Sequence, residues 1–254
     1  MTNTPTFNSW VTYPKSNPQA SLRLFCFPYT GGGAFSFRTW TGSLPKTIEV
    51  CPIELPGRGT QIGLVLFTRL EPLVQAIAQS LLPHLDKPFA FFGHSMGALV
   101  SFEVARLLRK QNEREPVQLF VSGCRALQIP SPEPLLHTLP EPAFLDRLRR
   151  LNGTPKAVLE NVELMQLLLP VLQADVAVIE TYVYASEPPL NCLIAVFGGL
   201  QNVEVDFDCL QAWRQQTNAS SLQMLSGDHF FLHSAQALLL QSLTQHLQAR
   251  SPIV

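Results

Sequence analysis

Short apolar runs rich in phenylalanine, valine and isoleucine alternate in this chain with segments of helical periodicity. The predicted strands are the runs at 22–27, 49–55, 89–93, 117–123, 191–199 and 221–227. The predicted helices span about 68–85, a segment from Ser95 onward, about 208–216 and about 231–248. Strands that alternate with helices in this way predict an α/β fold with a mostly parallel sheet flanked by helices.

The alternation is interrupted once, between Gly123 and Asn191. This stretch opens with the proline-rich IPSPEPLLHTLPEP (129–142) and continues with helical patterns but no strand pattern. Its predicted helices span roughly 143–151, 155–160 and 161–180. We therefore expect residues 1–254 to form a single domain, with a helical lid inserted at about 128–187.

Composition narrows the class of protein. The chain has 254 residues, of which 46% are apolar and 15% charged, enough to bury one large core. Its net charge of −1 favours neither nucleic acid nor an anionic membrane as a partner. The apolar runs are too short to span a bilayer, and the N-terminus lacks the pattern of a secretion signal. We expect a cytoplasmic monomer that binds no membrane.

The five cysteines support that expectation. They are odd in number, lack the spacing of a metal site and fall mostly in predicted strands. Buried, reduced thiols are therefore favoured over disulfides, and neither a metal nor an organic cofactor is expected.

The strongest chemical signal is GHSMG (93–97). It lies between the apolar strand FAFF and a helix that carries Leu99, Val100 and Val104 at helical spacing. A G-x-S-x-G sequence between a strand and a helix is typical of the nucleophile elbow of α/β-hydrolases, in which glycines permit a tight turn that exposes the serine. This pattern predicts Ser95 as a nucleophile; its alternative role is that of a helix cap.

A nucleophilic serine needs a base, which in α/β-hydrolases is a histidine after the last strand. His229 occupies that position, between SLQMLSGD and FFLH. His94 lies inside the elbow and is expected to support it. Structural roles are expected for the other histidines, which are His84, His137, His233 and His246.

An oxyanion hole is usually formed by the amide after the nucleophile and an amide from the loop after an early strand. These positions are Met96 and, within FPYTGGGAF (27–35), Thr30. The three glycines of that loop lack the spacing of a dinucleotide-binding or P-loop sequence.

Several segments together resemble the type II thioesterases, the free-standing editing enzymes of non-ribosomal peptide and polyketide synthases. These segments are LFCFPYTGGGAFSF (24–37), ELPGRGTQ (54–61), PFAFFGHSMGALVSFEVAR (88–106), LNGTPKAVLENVELMQLLLPVLQADV (151–176), VFGG (196–199) with LQAW (210–213), and GDHFFL (227–232). The resemblance implies an α/β-hydrolase fold with a helical lid. It also implies hydrolysis of acyl groups from the phosphopantetheine arm of an acyl or peptidyl carrier protein.

One position departs from the family pattern. Where relatives carry an aspartate that orients the catalytic histidine, this chain has Asn202, while the downstream Leu210 and Trp213 keep the register. We predict Asn202 in the orienting position, with Glu204 as the alternative. Other acids are less well placed: Asp228 is expected in a turn, Asp175 in the lid, and the position after VQLFVSG is Cys124.

Three functions remain open at this level. The first is a thioesterase, slowed by Asn202, that acts on carrier proteins. The second is a catalytically impaired protein that binds a carrier protein or an acyl chain, and the third is an esterase or acyltransferase for acyl-CoA or a small molecule. The leucine-rich lid segment contributes to the acyl site in the first reading.

Overall fold

A computed structural model describes residues 10–13, 15–130, 135–151 and 161–249. The strands are β1 (Leu22–Phe27), β2 (Ile48–Pro52), β3 (Phe89–His94), β4 (Gln118–Ser122), β5 (Leu193–Gly199) and β6 (Ser220–Leu225). The helices are α1 (Trp40–Ser43), α2 (Leu70–Leu81), α3 (Met96–Lys110), α4 (Glu141–Leu151), α5 (Val162–Glu180), α6 (Phe207–Gln211), α7 (Phe231–Ser234) and α8 (Gln236–Gln248). Short 3-10 turns lie at 34–37, 59–61, 82–84 and 212–216.

The six strands form one sheet in the order β2-β1-β3-β4-β5-β6, and every neighbouring pair is parallel. The predicted α/β class and parallel sheet are therefore confirmed. Because the strands are parallel, their carboxyl ends meet at one edge, and the loops that follow β1, β3, β5 and β6 gather there.

Alternate residues of the central strands face opposite sides of the sheet. In β3, Phe91 packs in the core on the side of α2 and α3, whereas Phe92 packs on the side of α1 and α8. Strands buried on both faces read as nearly continuous apolar runs. This explains why the sequence of β3 shows no polar alternation.

Helices α4 and α5 lie between β4 and β5 in the chain, and no strand occurs in the described residues of that stretch. They enclose a small apolar cluster of their own, formed by Phe144, Leu148, Met165, Leu172 and Val176. Asn161 caps α5, since its side chain accepts a hydrogen bond from the Leu164 amide at 3.0 Å. The helix predicted at 155–160 lies outside the described residues.

Helix ends differ from the predicted ones where local geometry competes with periodicity. The helix expected over 68–85 is α-helical only from Leu70 to Leu81 and ends in a 3-10 turn containing Pro83. The last predicted helix is split by Ala235, whose backbone (φ −110°, ψ 25°) is not helical. None of the described helices is long and apolar enough to cross a membrane. All five cysteines are free.

Candidate active site

Ser95 lies in the sharp turn between β3 and α3. Its backbone angles are φ 53° and ψ −116°, a conformation that costs a non-glycine residue about 1–3 kcal/mol. The Ser95 amide donates a hydrogen bond to Ser122 O of β4 at 2.8 Å, so the neighbouring strand holds the strained turn. The geometry matches the elbow predicted from GHSMG.

The two glycines of GHSMG are required by packing. A Cβ atom on Gly93 would lie 2.2 Å from Gly97 O, and one on Gly97 would lie 2.1 Å from Phe27 O. The first turn of α3 therefore packs directly against the backbone that leaves β1. Any side chain at either position would push these segments apart.

The loop after β1 places Thr30 beside this helix start. A Cβ atom on Gly97 would also lie 2.7 Å from Pro28 O. The Gly32 amide donates to Tyr29 O at 2.8 Å, which closes a turn around Thr30 and Gly31. Gly31 has φ +73°, a left-handed conformation that favours glycine. Met96 is the first residue of α3, and amides in the first turn of a helix have no partner within the helix.

His229 lies between β6 and α7, at the same edge of the sheet. Its ring centroid is 5.2 Å from that of His94, the residue before Ser95, and 5.0 Å from that of Phe230. Burial lowers the pKa of His229 to about 4, and the nearby Asp228 charge acts in the opposite direction. The ring is therefore neutral at physiological pH, as a general base must be.

His94 supports the elbow, as the sequence suggested. The ring is fully buried, and its Nδ1 lies 2.9 Å from Ser122 Oγ. Burial, followed by the proximity of His229 and His233, holds the pKa of His94 well below its usual range. A Cβ atom on Gly123 would lie 2.8 Å from the His94 ring, so that glycine makes room for it.

Asn202, in the loop after β5, contacts the predicted base directly. Its Nδ2 lies 3.3 Å from His229 Nδ1, and its Oδ1 accepts a hydrogen bond from the Glu204 amide at 2.9 Å. Because Oδ1 is held by a backbone donor, the side-chain N–H groups face the ring. An N–H group at this position favours the tautomer in which Nδ1 is unprotonated and Nε2 carries the hydrogen.

Glu204 faces the same ring atom. Its Oε2 lies 3.7 Å from His229 Nδ1, beyond ordinary hydrogen-bond distance. The Glu204 carbonyl accepts from Arg125 at 3.0 Å, which holds the backbone of this loop. The structure thus brings both sequence-derived candidates, Asn202 and Glu204, to His229.

The end of β5 packs closely against the loop that carries His229. A Cβ atom on Gly199 would lie 2.3 Å from Asp228 O and 2.6 Å from Gly227 O. Asp228 itself accepts a hydrogen bond from the Phe230 amide at 2.8 Å, which is the turn role expected for it. The close approach of these two loops is what places Asn202 beside the histidine.

Other acidic residues and histidines contact other groups. Asp206 caps α6 by accepting from the Cys209 amide at 2.7 Å, and Asp175 lies against the loop after β1. His84 pairs with Tyr13, His137 with Glu180 and His233 with Tyr29. Among the described residues, no three His, Cys, Asp or Glu side chains are grouped so that they could hold a metal ion.

Two charged residues near this edge were missed by sequence reasoning. Arg58 binds Asp175 through two nitrogens, and Glu54 accepts from the Ala34 amide at 3.0 Å. Both lie in ELPGRGTQ (54–61), and both are largely buried. Glu54 follows the buried strand β2, and Arg58 lies between two glycines. Charged residues in such a setting could have been identified from the sequence, since buried charges need partners.

Comparison with known proteins agrees with this geometry. Residues 22–250 match the family described as a thioesterase domain. The chain is 46% identical over 244 residues to linear gramicidin dehydrogenase LgrE of Brevibacillus parabrevis, covering 94% of this chain and 93% of the relative. It is 45% identical over 242 residues to gramicidin S biosynthesis protein GrsT of Aneurinibacillus migulanus, covering 95% and 94%.

A solved structure is similar over almost the same length. RedJ, a thioesterase from the prodiginine biosynthetic pathway in Streptomyces coelicolor, is 36% identical and superposes with a TM-score of 0.85 over 91% of this chain and 92% of its own. The α/β-hydrolase fold and the resemblance inferred from the sequence are confirmed by these matches. The chain belongs to the thioesterase domain family.

Proposed function

We propose that this thioesterase releases acyl groups from the phosphopantetheine arm of an acyl or peptidyl carrier protein in natural-product biosynthesis. The observation that carries the proposal is a strained serine elbow beside a buried, neutral histidine in a chain of this family. The printed names of GrsT and RedJ, which place those relatives in biosynthetic pathways, support the substrate class.

In the proposed reaction, Ser95 Oγ attacks the thioester carbon while His229 Nε2 accepts the serine proton. The N–H groups of Met96 and Thr30 stabilise the oxyanion of the tetrahedral intermediate. The thiol of the arm leaves with a proton from His229, and the histidine then activates a water that releases the acyl group as a carboxylic acid. The steps use side chains, backbone N–H groups and water.

Asn202 occupies the orienting position in this proposal, and Glu204 supplies negative charge at longer range. The amide N–H at 3.3 Å from Nδ1 favours the tautomer that has its hydrogen on Nε2, which cannot accept the serine proton. The reaction requires the other tautomer, with Nδ1–H directed toward Asn202 or Glu204. Turnover is therefore slow compared with an aspartate at position 202.

We also propose a domain organisation and an oligomeric state for the protein. Residues 1–254 form one domain, and the segment 128–187 is a lid whose leucines contribute to the acyl site. The protein acts as a cytoplasmic monomer without nucleic-acid or membrane partners. The net charge of −1 supports the absence of nucleic-acid and membrane partners. The small apolar cluster of α4 and α5 supports the lid.

A second function is favoured by the Asn202 contact itself. A histidine held in the unreactive tautomer suits a protein that binds carrier-linked acyl groups without turning them over.

The name of LgrE describes a dehydrogenase. We do not extend that activity to this chain, because its glycine run lacks the spacing of a dinucleotide-binding loop.

Hydrolysis of one acyl group presented on three carriers tests the proposal. The substrates are acyl-carrier protein, acyl-CoA and an acyl p-nitrophenyl ester, and we expect the highest kcat/KM on the carrier protein. Ser95→Ala should abolish turnover and labelling by a fluorophosphonate, whereas the matched variant Ser101→Ala, in helix α3 after the elbow, should retain both. Equal rates on all three substrates would favour a small-molecule esterase, and labelling without turnover would favour the binding function.

A further inference from the structure

The carboxylate of Asp175 extends from α5 to the turn that contains Thr30. Asp175 Oδ2 accepts a hydrogen bond from the Gly31 amide at 2.8 Å. Gly31 directly follows Thr30, the proposed oxyanion donor. A residue of the helical segment thus binds the oxyanion loop at the peptide next to the one that would stabilise the reaction.

Arg58 completes this contact from the loop after β2. Its guanidinium donates to Asp175 Oδ2 at 2.9 Å and to Asp175 Oδ1 at 2.7 Å, and also to Gly32 O at 2.8 Å. The side chains of Arg58 and Asp175 are only 10% and 7% exposed. A planar guanidinium that binds a carboxylate through two nitrogens fixes orientation as well as distance.

The backbone of the loop leaves little freedom for another arrangement. Gly31 has a left-handed backbone, and a Cβ atom there would lie 2.6 Å from a methyl of Leu172, one turn before Asp175 on α5. Gly57, beside Arg58, has φ +81°, and its Cβ would lie 3.2 Å from Val171 of the same helix. Helix α5 therefore contacts both glycine turns through apolar side chains as well as through the carboxylate.

We propose that Asp175 and Arg58 are positioning residues that set the direction of the Thr30 amide, so that the placement of α5 controls the oxyanion hole. Neither side chain contacts the reacting atoms. Asp175 holds the peptide after Thr30 through Gly31 N–H, and Arg58 holds Gly32 O on the far side. This inference rests on the proposed function, because it assumes that the Thr30 amide stabilises the oxyanion.

The alternative role for the pair is to stabilise the fold alone. A buried ion pair that loses one partner usually destabilises a protein wherever it lies. The two roles differ in what they change: a structural pair affects the midpoint of unfolding, whereas a positioning pair affects transition-state binding in molecules that remain folded.

Asp175→Asn and Arg58→Lys test the inference. Asparagine keeps the size of the side chain but places an N–H group toward either Gly31 N–H or Arg58, and lysine retains a single donor. Glu187→Gln is the matched control, because Glu187 pairs with Arg106, Arg109 and Lys110 away from the site. Each variant is assayed in the full chain for kcat, KM, Tm and the inhibition constant of an acyl trifluoromethyl ketone, whose serine adduct carries an oxyanion.

We expect Asp175→Asn to lower kcat about 10- to 100-fold and to weaken ketone binding by the same factor, below the loss for deleting an oxyanion donor outright. KM should change less than about threefold, because the interaction is made in the transition state. Arg58→Lys should retain part of the wild-type kcat and part of the wild-type affinity for the ketone. Glu187→Gln should lower Tm comparably and leave kcat and ketone binding unchanged.

Ketone binding that stays at the wild-type value in Asp175→Asn would overturn the inference, whatever the change in Tm. The ketone also separates this inference from the proposed function. If the wild-type protein binds the ketone but does not hydrolyse acyl-carrier protein, the substrate proposal fails, and the ketone affinities of the variants still decide the role of Asp175.

Discussion

At position 202, this chain has an amide where the resemblance to type II thioesterases predicts a carboxylate beside the histidine. Asn202 Oδ1 already accepts from the Glu204 amide, and Nδ2 faces His229 Nδ1 at 3.3 Å. An aspartate in the same rotamer would keep the first contact and accept Nδ1–H with its other oxygen. The loop could therefore hold a carboxylate at position 202 without a change in its backbone.

Asn202→Asp should raise kcat at least about tenfold with little change in KM, because the gain is confined to the transition state. The reverse change in a serine protease lowers kcat by roughly 10⁴.

Asn202→Asp should also raise the pKa of His229 above about 4, since an adjacent negative charge favours the imidazolium. The acid limb of the pH profile of kcat/KM should move to higher pH, and activity should be lost earlier on acidification.

Glu204→Gln is the paired variant. If Asn202 is the orienting residue, Glu204→Gln should lower the wild-type rate less than about threefold, in line with a carboxylate 3.7 Å from the ring. Asp208→Asn, in the first turn of α6, serves as the charge-matched control. Loss of activity in Glu204→Gln, together with no gain in Asn202→Asp, would show Glu204 to be the third member.

Gly199 permits the close approach that brings Asn202 to His229. Gly199→Ala would place a methyl group 2.3 Å from Asp228 O, and the loop carrying His229 would have to move. We expect kcat to fall by at least about tenfold, since small misplacements of catalytic groups are costly. Gly63→Ala is the control, because nothing lies within 4 Å of a Cβ at that position. Fluorophosphonate labelling rates and Tm of both variants give the comparison.

At the scale of elements, α4 and α5 are held by a cluster distinct from the two cores of the sheet. Phe144 is completely buried in it, together with Leu148 and Met165. Helix α5 is also held by Val178, which packs in the core on the side of α2 and α3, and by Asp175, whereas Phe144 and Leu148 of α4 pack in this small cluster. Local opening of such an element does not require the sheet to unfold.

Phe144→Ala should remove about 3–5 kcal/mol of packing from this cluster. We expect limited proteolysis within 135–180 to accelerate at least about tenfold, because the opened population follows the local free energy. The unfolding transition of the sheet should change little. Leu167→Ala is the matched control, since Leu167 is 66% exposed on α5 and its removal should leave proteolysis unchanged.

Apart from the short α1, the described strands and helices were readable from the sequence, whereas some of their ends and the division between α7 and α8 were not. Apolar runs buried on both faces identify β1, β3 and β5 directly. The end of α2 depends on Pro83 and the break before α8 on the backbone of Ala235, and neither changes the apolar periodicity. Periodicity reports the buried face of a helix and carries little information on where the helix ends.

For the site, the GHSMG sequence between a strand and a helix predicts Ser95, and the position after the last strand predicts His229. The two predicted residues lie at the same edge because parallel strands bring their carboxyl ends together. The contact of Arg58 with Asp175 could not be read in this way, since it joins residues 117 positions apart through side chains. The competition of Asn202 and Glu204 for one ring nitrogen likewise depends on distances of a few tenths of an ångström. The order of residues in the sequence determines neither the contact of Arg58 with Asp175 nor these distances.

At the scale of the whole molecule, burial of His229 links stability to pH. Its pKa is about 4 in the folded protein and about 6.5 when unfolded, so the unfolded chain binds the extra proton between these values. Stability should be unaffected above about pH 6.5 and should fall as the pH drops toward 4, by on the order of 3 kcal/mol from this residue. The pKa values of His84, His94 and His233 are also lowered in the folded protein, so these residues add to the loss of stability at low pH.

Urea unfolding at pH 7.5 and pH 5 measures this loss. His229→Gln, which cannot gain a proton, should lose less stability between the two values than the wild-type protein does. Lys87→Gln is the control, because its charge does not change in this range and its loss of stability should match that of the wild type. An equal loss in His229→Gln and wild type would show that the His229 ring is not protonated on unfolding in this range.

The order of strands in the sheet also has a consequence for the nascent chain. Ser95 is synthesised directly after β3, whereas β6 and His229 are synthesised only after β4, α4, α5 and β5, and in the described sheet β6 pairs with β5. Domains fold from the N-terminus as translation proceeds at about 5–20 residues per second. A ribosome-bound chain that has not yet formed β6 would hold Ser95 for roughly several seconds without the proposed base His229. We therefore expect such a chain to lack hydrolase activity until β6 and His229 are in place.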